Sequence, residues 1–248
     1  MINVIVLGGG NVATQLTKAF YKARKCKLVQ VYSRSQPSKF VQKKNINTTQ
    51  NLSDLKDADV YIIAISDDAI SDFSSHLKFQ NKLVVHTSGS VIMTDLKCNA
   101  NKGVFYPLQS ISKSKKISFK HIPICIETEN DEDLLLLETL ANSISKKVYH
   151  INSKQREKLH LAAVFVNNFV NHLYHIGHEI CDENKVDFNI LKPLIKETAA
   201  KIKNLTPRET QTGPAIRKDI KTLESQRQLL DENKKNIYNL LTESIMNS

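Results

Sequence analysis

Short apolar runs alternate with amphipathic stretches through the first 150 residues of the chain. The runs are rich in Val and Ile, and several are continuous, which is typical of parallel strands buried on both faces. The predicted strands are 2–7, 28–33, 59–65, 82–86, 103–106, 122–126 and 146–150. Helical periodicity fills 11–24, 37–44, 68–76 and 131–143. This alternation predicts an α/β fold, a Rossmann-type doubly wound and mostly parallel sheet.

The pattern changes after residue 151. From there on, helical periodicity alone remains, and no segment has the alternation or the β-branched content of a strand. The predicted helices are 153–182, 187–205, 214–230 and 232–246. The sequence therefore predicts a boundary near residue 150, with an α/β domain over 1–150 and an all-helical C-terminal domain over 151–248.

A glycine-rich turn follows the first predicted strand directly. The strand 2–7 runs into Gly8-x-Gly10-x-x-Ala13, and a helical pattern begins at once. The first glycine permits the tight turn, the second lets a diphosphate approach bare backbone, and the small third residue lets the helix pack closely. We expect Gly8, Gly10, Asn11 and Val12 to contact a dinucleotide at the helix N-terminus.

The second predicted strand ends in Ser33-Arg34-Ser35. NAD-binding folds usually place an acidic residue here, on the ribose hydroxyls, whereas Arg and Ser bind a 2′-phosphate. The guanidinium of Arg34 could also stack on adenine. These residues favour NADP over NAD as the cofactor; the alternative is that Arg34 is a solvated loop residue.

Polar residues also follow three later strands, at what would be the same edge of a parallel sheet. Ser66 is expected near the cofactor, with Ser66 or Asp67 also capping the next helix. His86 and Ser88 stand just before Gly89 at the end of another predicted strand. Their side chains could hydrogen-bond ribose, nicotinamide or substrate. Gln109 is a candidate substrate contact, with a structural role as the alternative.

Residues 159–178 contain no Lys, Arg, Asp or Glu, although 24% of the chain is charged. At 100° per residue, one face of this helix is apolar and comprises Phe165, Val166, Phe169, Leu173, Ile176 and Ile180. The opposite line carries His160, Asn167, Asn171 and His178. A solvated face in so lysine-rich a chain would carry charges, so this stripe is expected to face a cleft or another subunit.

Hydride chemistry on a C=O or C=N bond needs a proton donor beside the hydride carrier. His160 is the first candidate, because imidazole titrates near neutrality. Asn168 would orient the substrate, and Lys158 is the rival acid. Each histidine could instead be a partly buried structural residue.

A second feature of the helical half is Gly213-Pro214, which is typical of a helix start. Arg217 would then lie in the first turn, where the helix dipole disfavours cations unless an anion binds there. Arg217 is thus a candidate ligand for an anionic substrate, with a surface pairing to Asp219 or Glu224 as the alternative.

The net charge of +10 raises the possibility of nucleic-acid binding, but the lysines are dispersed and no recognition motif accompanies them. No apolar run approaches the length of a membrane span, and nothing that resembles a leader precedes the first strand. The four cysteines lack metal-site spacing and are typical of reduced thiols. We therefore expect a cytoplasmic protein without a metal, nucleic-acid or membrane partner.

Taken together, these motifs resemble a family that joins a Rossmann-like, NADP-oxidoreductase-type half to a C-terminal helical domain of unknown function. The resemblance covers the whole chain and rests on Leu7–Ala13, Tyr32–Ser35, His86–Gly89, Tyr106–Gln109, His160 with Asn168, and Gly213–Asp219. More distantly, the chain is similar to ketopantoate reductase, pyrroline-carboxylate reductase and 6-phosphogluconate dehydrogenase-like proteins. The resemblance implies NADP and a homodimer through the helical domain. Ala162 stands four residues after Lys158, where ketopantoate reductase has Asn after its catalytic Lys.

These observations predict an NADP-dependent oxidoreductase. It would transfer hydride to or from a small, anionic carbonyl, imine or hydroxy compound in the cleft between the two domains. The alternative is a non-catalytic NADP-binding sensor or scaffold. The sequence also leaves open whether the hydride carrier is a nicotinamide or a deazaflavin.

Overall fold

The computed structural model describes residues 1–112 and 117–248. The chain divides into two compact units, Met1–Asn167 and Asn168–Ser248. The sequence placed the division near residue 150, whereas the compact units divide inside the long helical stretch that begins at Ser153.

The first unit contains a single eight-stranded sheet with the order β3-β2-β1-β4-β5-β6-β7-β8. The strands are β1 (Ile2–Leu7), β2 (Cys26–Tyr32), β3 (Thr48–Thr49), β4 (Val60–Ile63), β5 (Leu83–His86), β6 (Asn101–Pro107), β7 (Ile124–Thr128) and β8 (Val148–His150). All neighbours are parallel except β6 and β7. The predicted fold class is confirmed; β3 was missed, since two residues show no periodicity.

The strand order places a topological switch point between β1 and β4. From β1 the chain moves outward to β2 and β3, then returns to the other side of β1. Helices that follow the two halves lie on opposite faces, so a crevice opens at the carboxyl ends of β1 and β4, where doubly wound folds bind ligands.

Alternate residues of β1 face the two sides of the sheet and define two cores. Val4 and Val6 belong to one apolar cluster, which includes Leu16 and Phe20. Ile5 and Leu7 belong to the other, on the opposite face. Both faces of the central strand are fully buried, which explains why it is a continuous apolar run.

The longer helices of the first unit are α1 (Asn11–Lys22), α2 (Lys39–Lys43), α3 (Ile70–Ser75), α4 (Asp131–Asn142) and α5 (Ser153–Ala163). A π-helical segment, Val164–Phe169, joins α5 to α6 (Val170–Glu183). The second unit adds α7 (Lys192–Lys201), α8 (Ile220–Gln228) and α9 (Glu232–Met246). No helix among the described residues is both long and apolar enough to cross a bilayer.

The predicted helix start at Gly213-Pro214 is wrong. Residues 214–218 form turns, and α8 begins at Ile220. Asp219 is its N-cap: one carboxylate oxygen accepts from the Thr222 amide, and the other accepts from the Thr222 hydroxyl at 2.7 Å. The helix begins after Asp219 and not at the Gly-Pro pair, because the Asp219 side chain accepts a hydrogen bond from an amide that the helix itself leaves unpaired.

A buried ion pair ties α5 to the sheet. Arg156 is 1% exposed, and its guanidinium donates to the Glu127 carboxylate at 2.6 Å and to the carbonyl oxygen of Val91. Ser153 joins the same network, with its hydroxyl donating to Glu127 and accepting from the amide of Met93. The loop after β5, strand β7 and the first turn of α5 are thus held by one set of charge-assisted hydrogen bonds.

Candidate functional site

The candidate site residues of the first unit lie at one edge of the sheet. Strands β2, β1, β4, β5 and β6 are parallel and adjacent, so their carboxyl ends meet there in that order. Four inter-strand spacings separate β2 from β6, roughly 19 Å along this edge. A ligand that contacts the loops of all five strands must be extended.

Gly8 makes the turn after β1 but is not a free amide donor. Its φ is +144°, and an added Cβ would overlap the carbonyl oxygen of Ala64, at the end of β4. Its own amide donates to the Tyr32 carbonyl oxygen at 2.8 Å. Gly8 is therefore required by the turn and by the close approach of β1 and β4.

Gly10 has the opposite environment. A Cβ built there would meet no atom within 4 Å, and its backbone is extended, at φ −72°. The structure itself therefore does not require a glycine at this position. Open space in front of bare backbone is what a bound diphosphate needs.

The N-terminus of α1 has no side-chain cap. Gly10 is its N-cap, makes no side-chain hydrogen bond, and is followed by no acidic residue in the first turn. By contrast, Asn130 caps α4 and three acidic residues follow it. The first amides of α1 have no intrahelical acceptor, and they face the glycine-rich turn. They are suited to an anion.

The remaining two residues of the predicted loop have separate surroundings. Asn11 is exposed, and its side-chain amide donates to the carbonyl oxygen of Ile111 at 3.2 Å. Val12 packs against the sheet. Asn11 thus ties the start of α1 to the segment after β6, while its backbone amide belongs to the uncapped turn.

A cavity of about 710 Å³ opens between the glycine-rich turn and the end of β2. Ser33 and Ser35 line it, and their hydroxyls lie 3.1 Å apart. Two amines, of Lys18 and Lys39, are also in its lining, which contains no carboxylate among the described residues. The cavity is therefore a hydroxyl-rich and cationic pocket. Arg34 is exposed and is not part of the lining.

His86 and Ser88 are buried and hydrogen-bond to backbone amides of the loop after β5. His86 is fully buried, and its Nδ1 accepts from the Ser88 amide at 3.2 Å. Burial, followed by the nearby Arg156 charge, lowers the pKa of His86 to about 4. The Ser88 hydroxyl accepts from the amides of Ser90 and Val91. These side chains shape the loop and, in this structure, present no surface to a ligand.

Gly89 brings that loop against two aromatic side chains. Tyr106 Oη lies 3.0 Å from His160 Nδ1, and the rings meet edge to face. A Cβ at Gly89 would lie 2.5 Å from Nδ1 and 2.9 Å from Tyr106 Cζ. Burial raises the pKa of Tyr106 to about 12, so its phenol stays protonated. The glycine is needed for this contact, which joins β5, β6 and α5.

The other predicted residues are exposed. Ser66 is exposed at the end of β4 and makes no capping bond; the Asp67 carboxylate instead accepts from the Ser90 hydroxyl at 2.6 Å. Gln109 is exposed and accepts from the Ser110 amide. Lys158 is exposed on α5. Asn168 and Arg217 are exposed residues of the second unit.

The predicted polar stripe on residues 159–178 is wrong in its geometry. The segment Val164–Phe169 is π-helical, with more residues per turn than an α-helix, so the 100° phase is lost between α5 and α6. Much of the predicted apolar face is exposed in the single chain, with Val166 at 75%. His178 pairs with Asp182 at 3.2 Å, so the polar line continues into a charged surface.

The sequence analysis missed three contributors to the edge. Lys18 and Lys39 line the cavity, although no motif marked them. Tyr106 was noted only as part of a motif, yet it is the hydrogen-bond partner of His160. The sequence offered one signal for Lys39. It comes five residues after Arg34, and both residues follow the strand at whose end a dinucleotide-binding fold holds the ribose.

Two family profiles together match most of the chain. Residues 3–89 match the family described as NADP oxidoreductase, coenzyme F420-dependent. Residues 122–245 match the domain of unknown function DUF2520. Among the curated proteins, none matches the chain at a significant level.

Solved structures with the same fold are also similar over the whole chain. A Bacteroides fragilis protein proposed to be an NADP oxidoreductase is 37% identical, with a TM-score of 0.90, covering 100% of this chain and 98% of its own. A Thermotoga maritima protein is 22% identical, with a TM-score of 0.74 and coverage of 98% and 96%. An imine reductase from Myxococcus stipitatus in complex with NADP⁺ shares the fold at 13% identity, with a TM-score of 0.61 and coverage of 99% and 92%. The chain therefore belongs to the family in which an oxidoreductase domain of the coenzyme F420-dependent type is followed by DUF2520.

Proposed function

We propose that this protein is an NADP-dependent oxidoreductase. The observation that carries the proposal is the arrangement at one sheet edge: an uncapped glycine-rich turn, a cationic cavity on its β2 side, and the Tyr106–His160 pair on its β6 side. The family and the fold support the same reaction class. A dinucleotide would lie along this edge, with its adenosine half at β2 and its nicotinamide towards β5 and β6.

The residues present fit each part of NADP. The diphosphate would lie against Gly10 and the first amides of α1, where the structure leaves room. The 2′-phosphate would enter the cavity, held by the hydroxyls of Ser33 and Ser35 and by the amine of Lys39. Arg34, exposed beside them, would close over the ribose or the adenine.

NADPH supplies a hydride when it is bound. It would deliver that hydride to the electrophilic carbon of a small carbonyl or imine, and the electron pair of the double bond would pass to the heteroatom. That heteroatom takes a proton, which we assign to the imidazolium of His160; the ring becomes neutral and regains its proton from water. The oxidation of a hydroxy compound is the reverse. Ser66 and Gln109 are exposed. The helix-dipole argument for an anion at Arg217 does not apply, because α8 begins at Ile220.

The second unit leaves most of its apolar side chains at least partly exposed, and we propose that a second copy of the chain packs against them. Of the residues 168–248, all described, only Cys181, Ala215 and Leu223 are fully buried. The whole chain exposes 15592 Å². Two separate compact bodies of 167 and 81 residues would expose roughly 13,000 Å² together. The excess, about 2,600 Å², is larger than the ~800 Å² per partner of a standard interface.

The first prediction concerns binding of the diphosphate. Gly10→Ala should abolish the binding of NADPH, because the added methyl group occupies the space that the diphosphate needs. It should cost the fold about 1 kcal/mol at most, as a weaker N-cap. Calorimetry with NADPH and thermal melting test both points. Gly177→Ala is the matched control, since its Cβ would meet only one ring carbon at 3.9 Å. Wild-type affinity in Gly10→Ala would place the cofactor elsewhere.

The second prediction concerns the choice between NADP and NAD. Lys39→Ala should lower the affinity for NADP⁺ about tenfold or more, because a charge-assisted hydrogen bond contributes about 1.5–3 kcal/mol. Its affinity for NAD⁺ should not change. Lys43→Ala, one turn later on α2 and outside the cavity lining, is the control. Arg34→Ala, measured alongside, tests the residue that the sequence favoured; equal loss of both coenzymes in Lys39→Ala would contradict the assignment.

The third prediction concerns turnover. A screen of oxo-acids and cyclic imines, followed by NADPH absorbance, should find a reduced substrate. His160→Ala should then lower the rate about 10²-fold or more while NADPH still binds, because a proton donor is lost. His76→Ala, on exposed α3, is the control. Binding of NADPH without turnover of any compound would favour the sensor or scaffold instead.

The fourth prediction concerns assembly. Sedimentation of the wild-type protein should give twice the chain mass of 28.1 kDa. Leu240→Asp should shift this mass towards that of a single chain, because it puts a charge into the proposed interface. Leu135→Asp is matched in exposure, 68% against 70%, but lies on α4 of the first unit and should remain a dimer. A wild-type monomer at micromolar concentration would refute the proposed dimer.

A further inference from the structure

The contact between Tyr106 and His160 has a direction that the surroundings determine. Tyr106 is 9% exposed, and its phenol keeps its proton because burial raises its pKa to about 12. A buried hydroxyl proton needs an acceptor. Within residues 1–112 and 117–248, the acceptor within hydrogen-bond reach of Oη is His160 Nδ1, at 3.0 Å.

The direction of this hydrogen bond determines which nitrogen of a neutral His160 ring carries the proton. A neutral imidazole carries one N–H and one accepting nitrogen. If Nδ1 accepts from Tyr106, the proton of the ring is on Nε2. If Nδ1 carried the proton instead, it would donate to Oη, and the phenolic proton would have no acceptor among the described residues.

Close packing of Gly89 also blocks the Nδ1 edge of the His160 ring. The Cα of Gly89 packs so closely that a Cβ would lie 2.5 Å from Nδ1 and 2.8 Å from Cγ. No side chain or ligand atom can therefore reach Nδ1 from the Gly89 side. Nε2, at the far side of the ring, has no hydrogen-bond partner in the described part of the chain, and His160 is only partly buried.

We propose that Tyr106 is a positioning residue that holds Nδ1 of His160 and so makes Nε2 the nitrogen that meets the ligand. The proposal deepens the function proposed above and rests on it. In the neutral ring, Nε2–H donates a hydrogen bond to the heteroatom of a bound carbonyl or imine. In the imidazolium, the hydroxyl of Tyr106 rotates to accept from Nδ1–H, and the proton that leaves is the one on Nε2. The ring is then transiently neutral with its proton on Nδ1, until water protonates Nε2.

This arrangement explains why the loop after β5 has a glycine at 89. A side chain there would push the imidazole away from Tyr106 and break the hydrogen bond. The buried contacts of Arg156 with Val91 and Glu127 hold the same loop against α5, one helical turn before His160. The loop, the tyrosine and the histidine are thus fixed as a unit before any ligand binds.

Nitrogen-15 NMR of the histidine rings tests the proposal without any substrate. The full-length protein is examined at an alkaline pH at which free imidazole is neutral. The signals of His160 are assigned by their loss in His160→Asn. We expect Nδ1 of His160 to show the shift of a bare, accepting nitrogen and Nε2 that of a protonated one. In Tyr106→Phe the two shifts should move towards each other, as the ring exchanges between both tautomers.

Tyr61→Phe is the matched control. Tyr61 is also a buried tyrosine of the sheet, and its hydroxyl donates to the carbonyl oxygen of Lys56, far in sequence and contact from His160. Its loss should leave the His160 shifts unchanged. A protonated Nδ1 in the wild-type protein would overturn the proposal. Unchanged shifts in a folded Tyr106→Phe protein would also overturn it.

Should Tyr106→Phe fail to fold, Gly89→Ala provides a second route, since its methyl group displaces the ring from Tyr106 and should produce the same change in the shifts. The failure of this inference is distinguishable from that of the proposed function. The NMR result concerns only the apoprotein, whereas NADPH binding and turnover are measured separately.

Discussion

The parallel alignment of five adjacent strands is the constraint on which the rest of the structure depends. Because β2, β1, β4, β5 and β6 run in the same direction, every loop at their carboxyl ends opens on one edge of the sheet. Gly8 and Gln109, about 100 positions apart in the chain, thereby lie at the same edge of the sheet. The fit of β1 against β4, where Gly8 allows no side chain, keeps this edge continuous.

Along that edge, charge and capping are distributed unequally. Two helices begin at residues whose side chains cap them, Asn130 on α4 and Asp231 on α9. The helix after the glycine-rich turn has no such cap, and the cavity next to it contains lysines without carboxylates in its described lining. The net charge of the chain says little about a partner. The local charge of this pocket says what a bound group should carry, namely phosphate.

The opposite end of the edge is built from buried groups whose hydrogen-bond partners are fixed. A fully buried arginine, a buried neutral histidine and a protonated tyrosine surround the loop of Gly89. Their hydrogen bonds are directed inward, so one imidazole nitrogen is the group left for chemistry. A rigid donor beside a cofactor edge is what hydride transfer requires, because misplacement of the reacting atoms slows the reaction steeply.

Sequence patterns predicted the parts of this structure that depend on local periodicity. The seven longer strands and the glycine-rich turn follow from continuous Val and Ile runs and from Gly8 and Gly10. The short β3 gave no such signal. The helical stripe was misread because the π-helical segment changes the phase, which no 100° projection reveals.

Other errors came from tertiary contacts. His86 looked like a ligand contact but is enclosed by packing. Lys39, in the first turn of α2, lines the cavity, whereas Arg34, just after β2, is not among its lining residues. The helix expected at Pro214 begins instead where Asp219 caps it. The type of each residue and its position in the sequence do not reveal these contacts. They depend on which other elements pack against the residue in the folded chain.

A crystal structure of the protein with NADP⁺ tests the central claim most directly. The account predicts the diphosphate against Gly10 and the first turn of α1, the 2′-phosphate beside Ser33 and Lys39, and the nicotinamide ring near Gly89 with His160 Nε2 facing it. Well-defined coenzyme density at another surface, or in the reverse orientation along the sheet edge, would contradict it.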